Sequence, residues 1–111
     1  MAMVVNRFEV WLIDLNPVIG SEISKTRPCL VISPNEVNEF LGTITIAAIT
    51  SVIRPYYPHR VECAFQNKNG QIALDHIRSL SKQRLIKKLG VMDEKTCRQV
   101  CKTLIELFSF E

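Results

Sequence analysis

The stretch FEVWLIDLNPVIGSEISKTRPCLVIS, Phe8 to Ser33, reads as strand, loop, strand. Phe8 to Leu15 is rich in β-branched and aromatic residues and apolar on both faces until Asp14, as expected of a largely buried pleated segment. Asn16-Pro17 ends it. Cys29 to Ser33 is a second short apolar strand, stopped by Ser33-Pro34-Asn35. In the loop between them Gly20 permits a tight turn, and Ser21, Glu22, Ser24, Lys25 and Thr26 place hydroxyls, a carboxylate and an amine close together. Pro28 drives Arg27 into an extended conformation, so the backbone largely sets the direction of its side chain. Its guanidinium is a planar, permanently charged fork that matches a phosphate. The same group could instead pair with Asp14 or Glu22 and staple a surface loop, and residue chemistry alone leaves both readings open.

More short strands follow. Asn35 to Phe40 suggests one helical turn. Thr43 to Thr50 (TITIAAIT) is a third strand and His59 to Phe65 a fourth; Asn67-Lys68-Asn69-Gly70 reads as a turn into a fifth, Gln71 to Leu80. Strands recurring at this spacing suit a small, strongly bent sheet or barrel. Ser81 to Leu89 reads as a short helix closed by Gly90 in a left-handed position. From Asp93 the apolar residues fall at Cys97, Val100, Cys101, Leu104, Ile105 and Phe108, a helical stripe, with Asp93 as cap and Glu94 complementing the dipole. The expectation is an α+β fold: a barrel-like sheet of about five to seven short, mainly antiparallel strands with a C-terminal helix packed on it.

Composition sets the outer bounds. At 111 residues, 47% hydrophobic and 23% charged, the chain is expected to form one domain over residues 1–111 with a real core. No apolar run is long enough to cross a bilayer, and MAMVVNRFEVW lacks the basic-then-apolar pattern of a leader, so a cytoplasmic location is expected. The net charge is +3, but its distribution is uneven: Arg78, Lys82, Arg84, Lys87 and Lys88 lie between His76 and Met92 with no acidic residue among them. Such a run serves either a polyanion or a merely solvated face. The four cysteines, Cys29, Cys63, Cys97 and Cys101, sit in apolar patterns without a Cys-x-x-Cys pair, which favours buried thiols over a metal site.

Two further constellations carry chemistry. Thr50-Ser51 puts two hydroxyls at the exit of a buried strand, where they can bind phosphate oxygens or cap the next turn. The segment after it, SVIRPYYPHR, sets Arg54, His59 and Arg60 around Tyr56-Tyr57, a mixture suited to unstacked bases or to a rigid proline-rich loop. In ALDHIRSL, Ala73 to Leu80, the residues Asp75, His76 and Arg78 interrupt an apolar strand. They include groups able to move a proton and groups able to form an internal ion pair.

Taken in order, WLIDLNPVIGSEISKTRPCLVIS, AAITS and ALDHIRSLSKQRL resemble the MazF or PemK toxin family. The shared pattern is an aromatic-bearing first strand, an Asn/Asp-Pro-x-x-Gly-x-Glu loop, Arg-Pro before the second strand, Thr-Ser after the third and an acid-polar-x-Arg run late in the chain. It spans about Glu9 to Leu89, with a compatible C-terminal helix.

The resemblance implies a compact SH3-like barrel in a symmetric homodimer. It implies an endoribonuclease that cuts single-stranded RNA at short sequences, independently of the ribosome and of a metal, with no cofactor. A cognate antitoxin would block it with a flexible acidic segment, and DNA would be met only through the antitoxin complex. The catalytic positions of the family fall on Arg27, Thr50, Glu22 and Asp75. RNA contacts are expected from Pro17, Gly20, Ser21, Lys25, Ser51, Arg54 and His76. Where some members carry a catalytic histidine and arginine, this chain has Ser21 and Ala73. A binding protein of the same fold without catalysis, either a gyrase poison or a degenerate antitoxin-binding module, is the alternative.

Overall fold

The computed structural model describes residues 4–16, 20 and 25–110. Among these, seven strands run β1 (Glu9–Asp14), β2 (Thr26–Val31), β3 (Thr43–Thr50), β4 (Arg60–Phe65), β5 (Lys68–Ala73), β6 (Arg78–Ser81) and β7 (Leu85–Val91). A short helix α1 (Asn35–Phe40) precedes β3, and the long helix α2 (Glu94–Phe108) follows β7. The strands form one curled antiparallel sheet, a half-barrel, in the order β4-β5-β3-β2-β1-β7. No helix among the described residues is long and apolar enough to cross a membrane.

Strand β3 organises the sheet because it is the longest and is buried along most of its length. β2 lies along one edge, Cys29 opposite Ala48 and Val31 opposite Ile46. The other edge serves two strands in turn: β6 pairs with Thr43 to Ile46, and β5 with Ile49 and Thr50. The registers of β5 and β6 on β3 differ by three residues, the length of the 3-10 turn Leu74–His76 between them. The expected single strand from Gln71 to Leu80 is thus broken in the middle. Asp75 and His76 are pushed out of the sheet, where Asp75 finds an arginine partner on β4.

Both faces of the central strands are covered. One carries Trp11, Ile13, Leu15, Cys29, Val31, Ile44, Ile46 and Ala48, closed by Leu80 and Leu85. The other carries Val10, Leu30, Ala47 and Ile72, closed by Met92, Cys97 and Val100. Cys97, Val100 and Leu104 of the stripe read from the sequence seat α2 here, whereas Ile105 and Phe108 remain exposed, and Asp93 caps the helix by accepting from the Thr96 N–H at 2.9 Å.

The segment Ser81 to Leu89 is not a helix. Only Lys82–Arg84 makes a 3-10 turn, and Leu85–Val91 is a strand paired with β1 from Glu9 to Ile13. The open edge of β1 offers a row of backbone partners that a short, weakly amphipathic helix cannot match. Gly90 lies within this strand, and a Cβ there would come within 3.0 Å of the Phe65 ring. The β4–β5 turn also falls earlier than expected: Phe65 pairs with Lys68, and Gln66 and Asn67 both take positive φ, 51° and 63°. That is the backbone of a two-residue hairpin turn.

Candidate active site

The β2–β3 ladder stops at Cys29 opposite Ala48. Two residues farther on in the same register come Arg27 and Thr50. Side chains two apart along a strand point to the same face, so Arg27 follows Cys29 and Thr50 follows Ala48 on the face that carries Ile46. Burial raises the Cys29 thiol to about 12, and the charges of Arg78 and Arg27 oppose that rise. Arg27 itself is half-buried.

Thr50 is 6% exposed, and its Oγ1 accepts from the Val52 N–H at 3.1 Å. The hydroxyl thus caps the following turn, the second of the two roles the sequence left open, and keeps its proton to donate. Gly70 lies beneath it: a Cβ there would stand 2.8 Å from the Thr50 carbonyl oxygen. Gln71, opposite Thr50 in the ladder, is 2% exposed and spans the next loop. Its Oε1 accepts from the Arg54 N–H at 3.0 Å, and its Nε2 donates to the Arg54 carbonyl at 3.5 Å. Ser51 and Arg54 are exposed beside it.

Asp75 meets Arg60. Arg60 Nε donates to Oδ1 at 2.6 Å and Nη2 to Oδ2 at 3.1 Å, with the arginine side chain only 6% exposed. His76 Nε2 lies 3.5 Å from Asp75 Oδ2. Burial opposes ionisation of Asp75, but the hydrogen bonds and charge of Arg60 outweigh it and hold the carboxyl below its usual range. Arg60 also lies 5.0 Å from the Tyr57 ring centre, and Arg54 lies 5.7 Å from the same ring. A cavity of about 260 Å³, lined by Leu15, Ile46, Ala48, Asp75, His76 and Arg78, opens on the face that Arg27 and Thr50 extend.

The loop before β2 is buckled at its base. The Leu15 N–H donates to the Lys25 carbonyl at 3.0 Å, and Asn16 Oδ1 accepts from the Lys25 N–H at 3.1 Å. Lys25 takes a positive φ of 71°, as does Gly20 at 65°. Arg78 donates to the Leu15 carbonyl at 3.3 Å, and Arg84 to the carbonyls of Asp14, at 3.1 Å, and Asn16. Lys82 binds the Asn38 carbonyl, and Lys88 pairs with Glu9 at 2.9 Å. Most of the basic run seen in the sequence is therefore spent on the fold, and two of its arginines hold the loop. Pro17, Ser21 and Glu22 lie outside the described residues. Cys97 and Cys101 share α2, and among the described residues no third His, Cys, Asp or Glu joins them in a metal-sized group.

The model of the PemK-like, MazF-like toxins of type II toxin–antitoxin systems matches residues 6–108. The chain belongs to this PemK/MazF family. Endoribonuclease EndoA of Bacillus subtilis is 36% identical over 107 residues, 92% of each chain. Endoribonuclease MazF of Staphylococcus saprophyticus is 36% identical over 99 residues, 85% of this chain and 82% of its own. Among solved structures, MazF of Deinococcus radiodurans superposes with a TM-score of 0.84 at 25% identity, covering 98% of this chain and all of that one. A MazE–MazF complex from the same organism gives 0.79 at 25% identity. The PemK/MazF fold is thus the half-barrel and helix described above.

Sequence reasoning noticed Arg60 but gave it no part in the site, and it missed Gln71 and Gly70. The only local signal was an amide in the otherwise apolar run Gln71-Ile72-Ala73-Leu74, preceded by glycine.

Proposed function

We propose that the protein is an endoribonuclease toxin that cuts single-stranded RNA at a short sequence, without ribosome or metal, and is neutralised in the cytoplasm by a cognate antitoxin. The observation that supports this reading is that Arg27 and Thr50 each lie two residues beyond the last pair of the β2–β3 ladder, Cys29 opposite Ala48. EndoA and MazF relatives at 36% identity support the activity, and the MazE–MazF complex supports the partner.

In the cleavage step a base removes the 2′-hydroxyl proton, the 2′-oxygen bonds to phosphorus, and the P–O5′ bond breaks as the 5′-oxygen takes up a proton. A cyclic phosphate and a 5′-hydroxyl result. Charge builds on the non-bridging oxygens in between, where Arg27 and the Thr50 hydroxyl stabilise it. Glu22 is the base. Asp75, held ionised in its arginine pair, is a weak base; it acts by fixing Arg60 and presenting His76, the proton donor to the leaving oxygen. Lys25, Ser51 and Arg54, together with Pro17, Gly20 and Ser21, contact the flanking nucleotides. The resemblance also carries a homodimer, for which exposed Val91, Ile105 and Phe108 supply apolar surface.

The test is incubation of antitoxin-free protein with long single-stranded RNA in excess EDTA, beside Arg27→Ala, with the new ends mapped. Cuts at a recurring short sequence, absent from the variant, are expected. No cutting by folded protein across RNAs of many sequences would favour a binding-only toxin of the same fold.

A further inference from the structure

From Gly70 to Leu74 every residue is buried, and only Gln71 carries a polar side chain. A buried amide costs free energy unless it is hydrogen-bonded, and Leu or Met would fill the same space without that cost. Gln71 spends its amide on one residue, gripping both the N–H and the carbonyl of Arg54. Its own backbone is meanwhile paired on both sides, with Thr50 of β3 and Glu62 of β4. The loop after Thr50 is thus pinned to the rigid sheet four residues downstream of Thr50.

What is pinned has consequences. The Tyr57 N–H donates to the same Arg54 carbonyl at 3.1 Å, so Gln71 and Tyr57 share one acceptor. The Tyr57 ring then lies near the guanidinium groups of Arg54 and Arg60. Tyr56 beside it is 95% exposed. Arginines and open aromatic faces are what unstacked bases bind.

We infer that Gln71 is a positioning residue for sequence selection: by fixing the Arg54 backbone it aims Arg54 and the Tyr56-Tyr57 pair at nucleotides flanking the scissile bond. This deepens the nuclease reading and rests on it. A loose loop accepts more sequences, because a wrong base then leaves no rigid group unpaired.

Two variants test it. Gln71→Met keeps shape and burial while removing both hydrogen bonds, and Gln71→Glu keeps the acceptor for the Arg54 N–H but loses the donor. Four quantities are measured: melting temperature, exchange of the Arg54 amide, and kcat and KM on the preferred RNA and on single-base-changed RNAs. For Gln71→Met, Arg54 exchange quickens, KM rises more than kcat falls, and discrimination between the RNAs drops by about tenfold, as for one lost interaction; Gln71→Glu falls in between. A lowered melting temperature with unchanged discrimination overturns the inference and leaves Gln71 a structural residue. Should Gln71→Met not fold, Gln71→Glu decides by the same discrimination ratio. Wild-type protein that cuts no RNA sinks the nuclease reading and this inference with it, whereas a cutting wild type with equally selective variants sinks only the inference.

Discussion

Arg60 holds both carboxylate oxygens of Asp75, at 2.6 and 3.1 Å, from a side chain almost wholly withdrawn from water. The pair ties β4 to the turn that separates β5 from β6. That turn is what carries Asp75 and His76 out of the sheet and over the cavity beside Ile46 and Ala48. A bidentate, partly buried pair of this kind resists screening better than a surface ion pair.

Asp75→Asn should therefore loosen the turn. The expected cost is about 1.5–3 kcal/mol of stability, as for a hydrogen bond to a charged group, read by urea denaturation. RNA cleavage should fall as well, because His76 loses its neighbour. A variant that keeps stability and loses activity would instead mark Asp75 as acting directly on substrate.

Arg27→Ala should cut cleavage sharply while leaving the fold intact, since Arg27 lies at the end of β2 rather than in the core. Loss of one charge-stabilising group of this kind costs on the order of 10²–10³ in kcat. Arg27→Lys should recover little, because an ammonium lacks the planar fork. Circular dichroism and single-turnover cleavage of the two variants check this.

Gly70→Ala places a methyl group 2.8 Å from the Thr50 carbonyl oxygen, so the β3–β5 rim must open. Overpacking of this kind costs about 1–3 kcal/mol. The damage falls on the Thr50 backbone, so cleavage should drop more than thermal stability suggests. Comparison with Gly42→Ala, where a Cβ meets nothing within 4 Å, provides the control.

Glu9 is 4% exposed and accepts from the Asn6 N–H at 2.9 Å and the Trp11 indole at 3.0 Å, with Lys88 at 2.9 Å. Burial opposes its ionisation, but these donors prevail and its pKa lies below the ordinary 4.5. A lowered folded pKa means the stabilisation is present in full above 4.5 and is lost as pH falls through the folded value. Acid unfolding should thus begin below that pH. Glu9→Ala should flatten this part of the profile and cost about 1–3 kcal/mol for each donor left unsatisfied. An unchanged acid limb in that variant would rule Glu9 out as its source.

Much of this protein is set locally and so is legible in its sequence. Phe8 to Leu15 and Thr43 to Thr50 have no plausible state but buried strands. Asp93 and the stripe from Cys97 to Phe108 specify a capped, one-sided helix within a single turn's reach. Pro28 constrains Arg27 through its immediate neighbour, and the ordered motifs were enough to point to the family. What the tertiary structure decided depends on partners far along the chain. Leu85–Val91 became a strand because β1, more than seventy residues earlier, offered an open edge. The run from Gln71 to Leu80 is broken where its pairing to β3 shifts by three residues, and Asp75 in the break meets Arg60 of β4. The charges of Arg78 and Arg84 went to carbonyls at the end of β1 and the start of the first loop rather than to a solvated face. Gln71 acquired its meaning only when Arg54 came back over it. Local periodicity records which residues want burial; it holds no record of which distant backbone or charge will meet them, and that meeting assembles the site.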